Sequence, residues 1–178
     1  MRSPLTGNAV SASYSFTISS PLRAPAEQVW AHASTFAGVN RELWPLVRMT
    51  YPPTSSRLTP DTFPVGRTAF RSWILLFGLL PVEYDDITLV ELEPGRGFYE
   101  VSRMLAVREW RHRRSVRPTA DGCVVTDEIG MVPRWRGTGW LLVQVYRLVF
   151  AWRHRRLRRL FGVPDPRAAE PSAVARPE

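Results

Sequence analysis

"VYRLVFAWRHRRLRRLFG", residues 145–162, carries six arginines after Tyr146, together with His154, among Leu, Val, Phe and Trp. Such a stretch suits a nucleic-acid arm, a helix lying on a membrane surface, or the outer wall of a globular domain. On a helical wheel, Leu142, Val145, Tyr146, Val149, Arg153, Leu157 and Leu160 share one face at three- and four-residue spacing. Gln144, Arg147, Ala151, His154, Arg155, Arg158 and Arg159 fall toward the other sides. Except for Arg153, the basic residues are therefore the solvated complement of a buried stripe, and no base-reading or stacking pattern goes with them. The helical pattern runs over 137–162 and is stopped by Gly162 and Pro164. A helix of that length must bury its apolar stripe against a partner.

The partner lies upstream. "SYSFTISSPL" (13–22) sets Tyr14, Phe16 and Ile18 at period two and predicts a strand. "APAEQVWAHASTF" (24–36) predicts a helix, with Pro25 in its first turn, Glu27 at its positive end, and Val29, Ala33 and Phe36 on one face. Residues 37–50 predict a second short helix interrupted at Trp44-Pro45, and 51–66 a loop. Strands are predicted over 67–77, 82–93, 97–104, 106–117 and 122–132, separated by the turn-like "GLLP", "EPGRG" and "PTADG". The expected fold is α+β: a helix-grip fold, with a curved antiparallel sheet wrapped around a long C-terminal helix. Residues 1–12 and the Pro/Ala-rich tail 164–178 are expected to be disordered, leaving one domain over 13–163.

The net charge is +8, and all 24 basic residues are arginine. Arginine tolerates partial burial and pairs with carboxylates in a fork, so this charge does not by itself imply a nucleic-acid partner, and none is expected. Cys123 is the only cysteine, which excludes an intrachain disulfide and fits a reducing compartment. The start "MRSPLTGNAVSA" lacks an apolar signal core. The most apolar runs, 73–82 and 139–152, are shorter than the ~20 residues of a membrane span. A cytoplasmic protein is expected. Weak contact with an anionic membrane through Arg155, Arg158 and Arg159 remains consistent with the helix.

Three stretches, "APAEQVWAHAST", "WRHRRSVRPTADGCVVTDEIGMVP" and "FAWRHRRLRRLFG", resemble the START-like (SRPBCC) superfamily, which includes polyketide cyclase/dehydrase and lipid-transport families. The last two resemble a bacterial subgroup of uncharacterised members. The resemblance spans about 13–163 and implies an elongated apolar cavity between the sheet and the inner face of the last helix. It implies a small hydrophobic ligand (lipid, isoprenoid or polyketide-like) bound without covalent chemistry. The alternatives are a cyclase/dehydrase-type enzyme working by positioning and proton transfer, and a membrane-surface module using the basic helix. A fold alone does not choose among these.

Strand parity then nominates a site. In "EWRHRRSV" the set Trp110, His112, Arg114, Val116 holds the large apolar residues and is assigned to the cavity face. In "VVTDEIGMV" the corresponding set is Val125, Asp127, Ile129, Met131. His112, Arg114 and Asp127 thus face one space and are the candidate catalytic residues. Glu100 joins from the preceding strand, and Tyr146, Val149 and Arg153 approach from the helix. Trp73, Tyr84, Met104, Trp110 and Met131 complete the ligand-binding set as core or lining. Two readings of the polar group stand side by side: a self-satisfying buried ion network, or a patch that orients a ligand or moves protons.

Other chemistries lack their residues. His32, His112 and His154 have no metal-ligand spacing, so no metal is expected. There is no G-x-S-x-G elbow, and "PGRGF" does not open a helix as a phosphate loop must, so no cofactor is expected. Cys123 has no evident base. Asp85 and Asp86 alternate across a strand and cannot face each other.

Overall fold

The structure is a computed structural model that describes residues 13–165. The disorder expected for 1–12 and 166–178 concerns residues outside that range. The first strand, β1 (Tyr14–Leu22), leads through Pro25 into helix α1 (Ala26–Ala33). Thr35 caps α2 (Phe36–Leu43) by accepting the Gly38 amide at 3.0 Å. A three-residue strand, β2 (Val47–Met49), follows, then β3 (Thr68–Leu76), β4 (Leu80–Glu93), β5 (Gly97–Met104), β6 (Val107–Thr119), β7 (Gly122–Pro133) and α3 (Gly139–Phe161).

The strands form one antiparallel sheet in the order β1-β7-β6-β5-β4-β3-β2, so the first strand pairs with the last. Register shifts between Ile74 and Leu75, Leu89 and Glu91, and Val107 and Glu109 interrupt the ladders. Such bulges add local twist and curl the sheet. The expected α+β helix-grip fold is the one observed, with two additions. The second helical segment is cut to eight residues, and β2 takes up the chain behind it. Asn40 fixes that arrangement: its side-chain amide donates to the Met49 carbonyl at 2.9 Å and accepts the Met49 amide at 2.7 Å.

Helix α3 lies across β1 and β7 and against α2. Val143, Phe150 and Leu157, spaced by seven, are buried along its inner face. Val143 and Phe150 pack with Phe16, Trp110, Ile129 and Met131. Leu157 packs with Leu22, Val29, Val116 and Val125. At the helix start a Cβ on Gly139 would sit 2.1 Å from the Tyr14 ring, so only glycine lets α3 approach β1 there. At its end Gly162 takes a φ of 73°, and its carbonyl and that of Phe161 accept the amides of Arg23 and Ala24. Among the described residues, no helix is long and apolar enough to cross a membrane.

Candidate functional site

Between the sheet and α3 lies a cavity of about 350 Å³. That is near the lower end of the roughly 300–1,000 Å³ of small-molecule sites, and suits one compact molecule. Its walls are mainly aliphatic and aromatic, from α2, β2, β3, β4, β5, β6 and α3.

Alternation along β6 buries Trp110, His112, Arg114 and Val116, and along β7 it buries Val125, Asp127, Ile129 and Met131. Of the nominated residues, Glu100, Met104, Trp110, His112, Arg114, Tyr146, Val149 and Arg153 line the cavity. Asp127 and Met131 face inward but are covered by α3 side chains and do not line it. Trp73 and Tyr84 do not line the cavity. They oppose each other on β3 and β4, stack edge to face at 5.9 Å, and lie on the outer face, where Arg71 sits 4.0 Å above the Tyr84 ring. Their neighbours Ile74, Glu83 and Asp85 take the inner positions, so the large apolar surface of these aromatics misled the assignment.

At one end the polar residues form a closed network. Arg114 donates from Nε and Nη2 to both Asp127 oxygens at 2.8 and 2.7 Å, and from Nη1 to Glu42 Oε2 at 3.0 Å. Arg153 donates to the same Glu42 oxygen at 2.9 Å. His112 Nε2 and His154 Nε2 lie 2.9 and 3.0 Å from the two Asp127 oxygens. Two guanidiniums and two carboxylates thus balance within one buried cluster. Glu42 comes from α2 and carries no sequence signal beyond being a carboxylate on a short helix.

His154 corrects the wheel. The wheel sets it toward the solvated sides, yet it is fully buried. A neutral imidazole satisfies every partner: Nε2–H donates to Asp127, Nδ1 accepts the Ser20 hydroxyl at 2.9 Å, and the Ser20 oxygen accepts from Arg158 at 2.7 Å. Ser20, His154 and Asp127 have the connectivity of a nucleophilic triad, but Ser20 is wholly buried and does not line the cavity, so the set is structural. Arg158 is accordingly tied into the fold, whereas Arg155 and Arg159 remain exposed.

The electrostatics follow from these contacts. Burial alone would raise Glu42, but the charges of Arg114 and Arg153 outweigh it and hold its carboxyl at about 2. Burial is likewise outweighed at Asp127, where Arg114 and hydrogen bonds from both histidines hold it well below its ordinary value. Burial, partly offset by Asp127, depresses His154. All three shifts make the folded state bind fewer protons than the unfolded chain. Their contribution is therefore present above the unfolded values, 4.5, 3.8 and 6.5, and is lost as pH falls below each. The urea midpoint should decline below about 6.5 and fall most steeply between about 4.5 and 2. A flat profile across that lower window would show that the network does not stabilise the fold.

A second polar wall lies on β4 and β5, and of its residues only Glu100 is among those that strand parity nominates. Alternation along β4 turns Glu83 and Asp85 inward beside Glu100 of β5. Asp85 and Asp86 do point to opposite faces, but the carboxyl facing Asp85 belongs to the neighbouring strand. Burial, then the nearby Glu100, push Asp85 well above its ordinary value. Glu100 accepts the Ser102 hydroxyl, and its Oε2 lies 3.8 Å from His112 Nδ1.

No curated protein matches the chain. Solved structures do. Protein CV1439 from Chromobacterium violaceum is 16% identical with a TM-score of 0.61, over 85% of this chain and 99% of that one. A START superfamily protein from Mycobacterium smegmatis is 9% identical with a TM-score of 0.55, over 83% and 98%. CalU16 from Micromonospora echinospora is 14% identical with a TM-score of 0.51, over 87% and 79%. At these identities the likeness is one of fold, and the fold is START-like. Residues 20–161 match a family model described as a domain of unknown function, and the chain therefore belongs to that family, DUF8410.

Proposed function

We propose that the protein binds one small, largely hydrophobic molecule, a lipid, isoprenoid or polyketide-like compound, in the cavity between sheet and α3, without covalent chemistry and in the cytoplasm. The observation that carries this reading is the cavity itself: about 350 Å³, apolar over most of its wall, with its few charged groups confined to two patches. The ion network at one end is satisfied within the protein, as a structural cluster should be.

Native mass spectrometry of freshly purified protein tests the reading. A stoichiometric apolar adduct is expected on the natural sequence. Val149→Trp, which adds bulk to the cavity wall, should lose the adduct while retaining a cooperative melt. An adduct that survives unchanged in Val149→Trp would place the ligand elsewhere.

One observation favours a second reading, a cyclase/dehydrase-type enzyme. His112 is fixed by Asp127 at 2.9 Å, and its other nitrogen faces Glu100 on the cavity wall, an arrangement able to move a proton. His112→Phe separates the two: a binder keeps its adduct, whereas an enzyme accumulates unconverted substrate. Weak contact with anionic membranes would fall to the exposed Arg155 and Arg159. Reversing both charges should abolish vesicle binding at low salt if that contact exists.

A further inference from the structure

The arginines of the cavity are committed to Glu42 and Asp127, which leaves the β4–β5 wall without a cation. Among the described residues, Glu83, Asp85 and Glu100 form no ion pair with any arginine, and only Glu100 has a histidine nearby, at 3.8 Å. Glu83 is accounted for by backbone: the amides of Tyr84, Leu105 and Ala106 all donate to its carboxylate. Asp85 is so only in part. It is 4% exposed, lines the cavity, and its carboxyl lies beside Glu100 and Ser102, but its Oδ1 has no hydrogen-bond partner among the described residues. A buried carboxylate oxygen without a partner is costly and marks a place where a ligand donor would sit.

The surroundings say which donor. Tyr146, on α3, rests against Trp110 with ring centres 4.7 Å apart, and Phe150 flanks the same indole at 6.2 Å. All three rings line the cavity. Aromatic faces attract cations and repel carboxylates. The charged and titratable groups of the cavity wall are Glu83 and Asp85 from β4, Glu100 from β5, His112 and Arg114 from β6, and Tyr146 and Arg153 from α3; the two arginines form their ion pairs with Glu42 and Asp127.

We propose that Asp85 and Glu100 form the polar subsite of the cavity and that the ligand is a hydrophobic amine whose ammonium sits between these carboxyls and the Trp110 and Tyr146 rings. This rests on the cavity-binding reading and names the chemical class of its ligand. The ammonium supplies the donor that Asp85 Oδ1 lacks, and its positive charge offsets the carboxylates that no arginine reaches. The apolar remainder fills the aliphatic part of the cavity.

The test compares decylammonium, decanol and decanoate, equal in chain and different in head group, by calorimetric titration of the full chain at pH 7 and ~0.15 M salt. The protein's net charge of +8 favours decanoate at long range, so an amine preference has to come from the site. Decylammonium is expected to bind at least about tenfold tighter than decanoate, with decanol between them. Decanoate binding as tightly as the amine, with decanol also bound, would overturn the amine assignment and leave the cavity reading standing. Failure of all three to bind would overturn both. Asp85→Asn with Glu100→Gln should bring the amine-to-decanol affinity ratio close to one. Asp85→Asn alone should also raise Tm at pH 8: a carboxyl raised by burial contributes stability only at low pH and loses it as pH rises, whereas the amide does not ionise. A Tm lowered at pH 8 by this substitution would contradict an unsatisfied Asp85.

Discussion

Glu42→Gln should cost the protein on the order of 3–5 kcal/mol, the usual penalty for removing one partner of a buried ion pair. The exchange barely changes volume, so packing is not the cause. Glu42 is wholly buried and receives Arg114 and Arg153 together. Without its charge Arg114 keeps Asp127, but Arg153 is left buried beside another guanidinium with no carboxylate of its own. For a chain of this size such a loss lowers Tm by roughly 6–20 °C, a large part of the ~5–15 kcal/mol that holds a domain together. The companion variant decides the cause. Combining Glu42→Gln with Arg153→Met removes both members of the pair and restores the balance of Arg114 against Asp127, so most of the lost stability should return. Denaturant titration measures both. If the double variant is as unstable as the single one, the damage lies in packing around α2 rather than in the unpaired charge.

Leu157→Ala should cost about 2–5 kcal/mol, while Leu148→Ala on the same helix should change stability by no more than ~0.5 kcal/mol. Leu157 is completely buried among β1, α1, β6 and β7 residues, and its truncation leaves a void. Leu148 is 71% exposed, and its methyl groups already meet water. The pair reads the rotational phase of α3 directly. Equal effects at the two positions would mean that the helix presents a different face to the sheet.

That phase shows where sequence reasoning succeeded and where it stopped. Strand periodicity located β4 to β7 to within a few residues, because turn residues separate long alternating runs. Parity, with the large apolar residues choosing between its two sets, puts His112, Arg114 and Asp127 on the inner face, since a strand's period of two leaves little room for error. The helix was harder. A wheel sorts residues by polarity, so it sends His154 to solvent; it keeps Val145 with the inner stripe, where the residue lines the cavity while still 46% exposed. What buries His154 is Asp127 and Ser20, on strands 27 and 134 residues away, and no local pattern encodes those partners. Glu42 and Asp85 were missed for the same reason. A carboxylate reads as solvent-facing until the arginine or the second carboxyl beside it is known. Trp73 and Tyr84 erred in the opposite direction: ring size suggested burial, but they stack on each other outside the sheet, with Arg71 over the Tyr84 ring. The three-residue β2 is too short to show any period.

The pairing of β1 with β7 also governs the order in which the molecule is made. The backbone ladder of the first strand pairs it with residues 123–131, and α3, which covers it, follows later still. While the ribosome extends the chain, β1 emerges before its partner by the length of α1, α2 and strands β2 to β6, with its backbone donors and acceptors unmatched. Loop closure over that separation is slow, and an exposed strand edge is a template for pairing with other chains. Synthesis stalled before β7 therefore yields a nascent chain with an open, sticky N-terminal strand, and the sheet is completed only when β7 leaves the ribosomal tunnel.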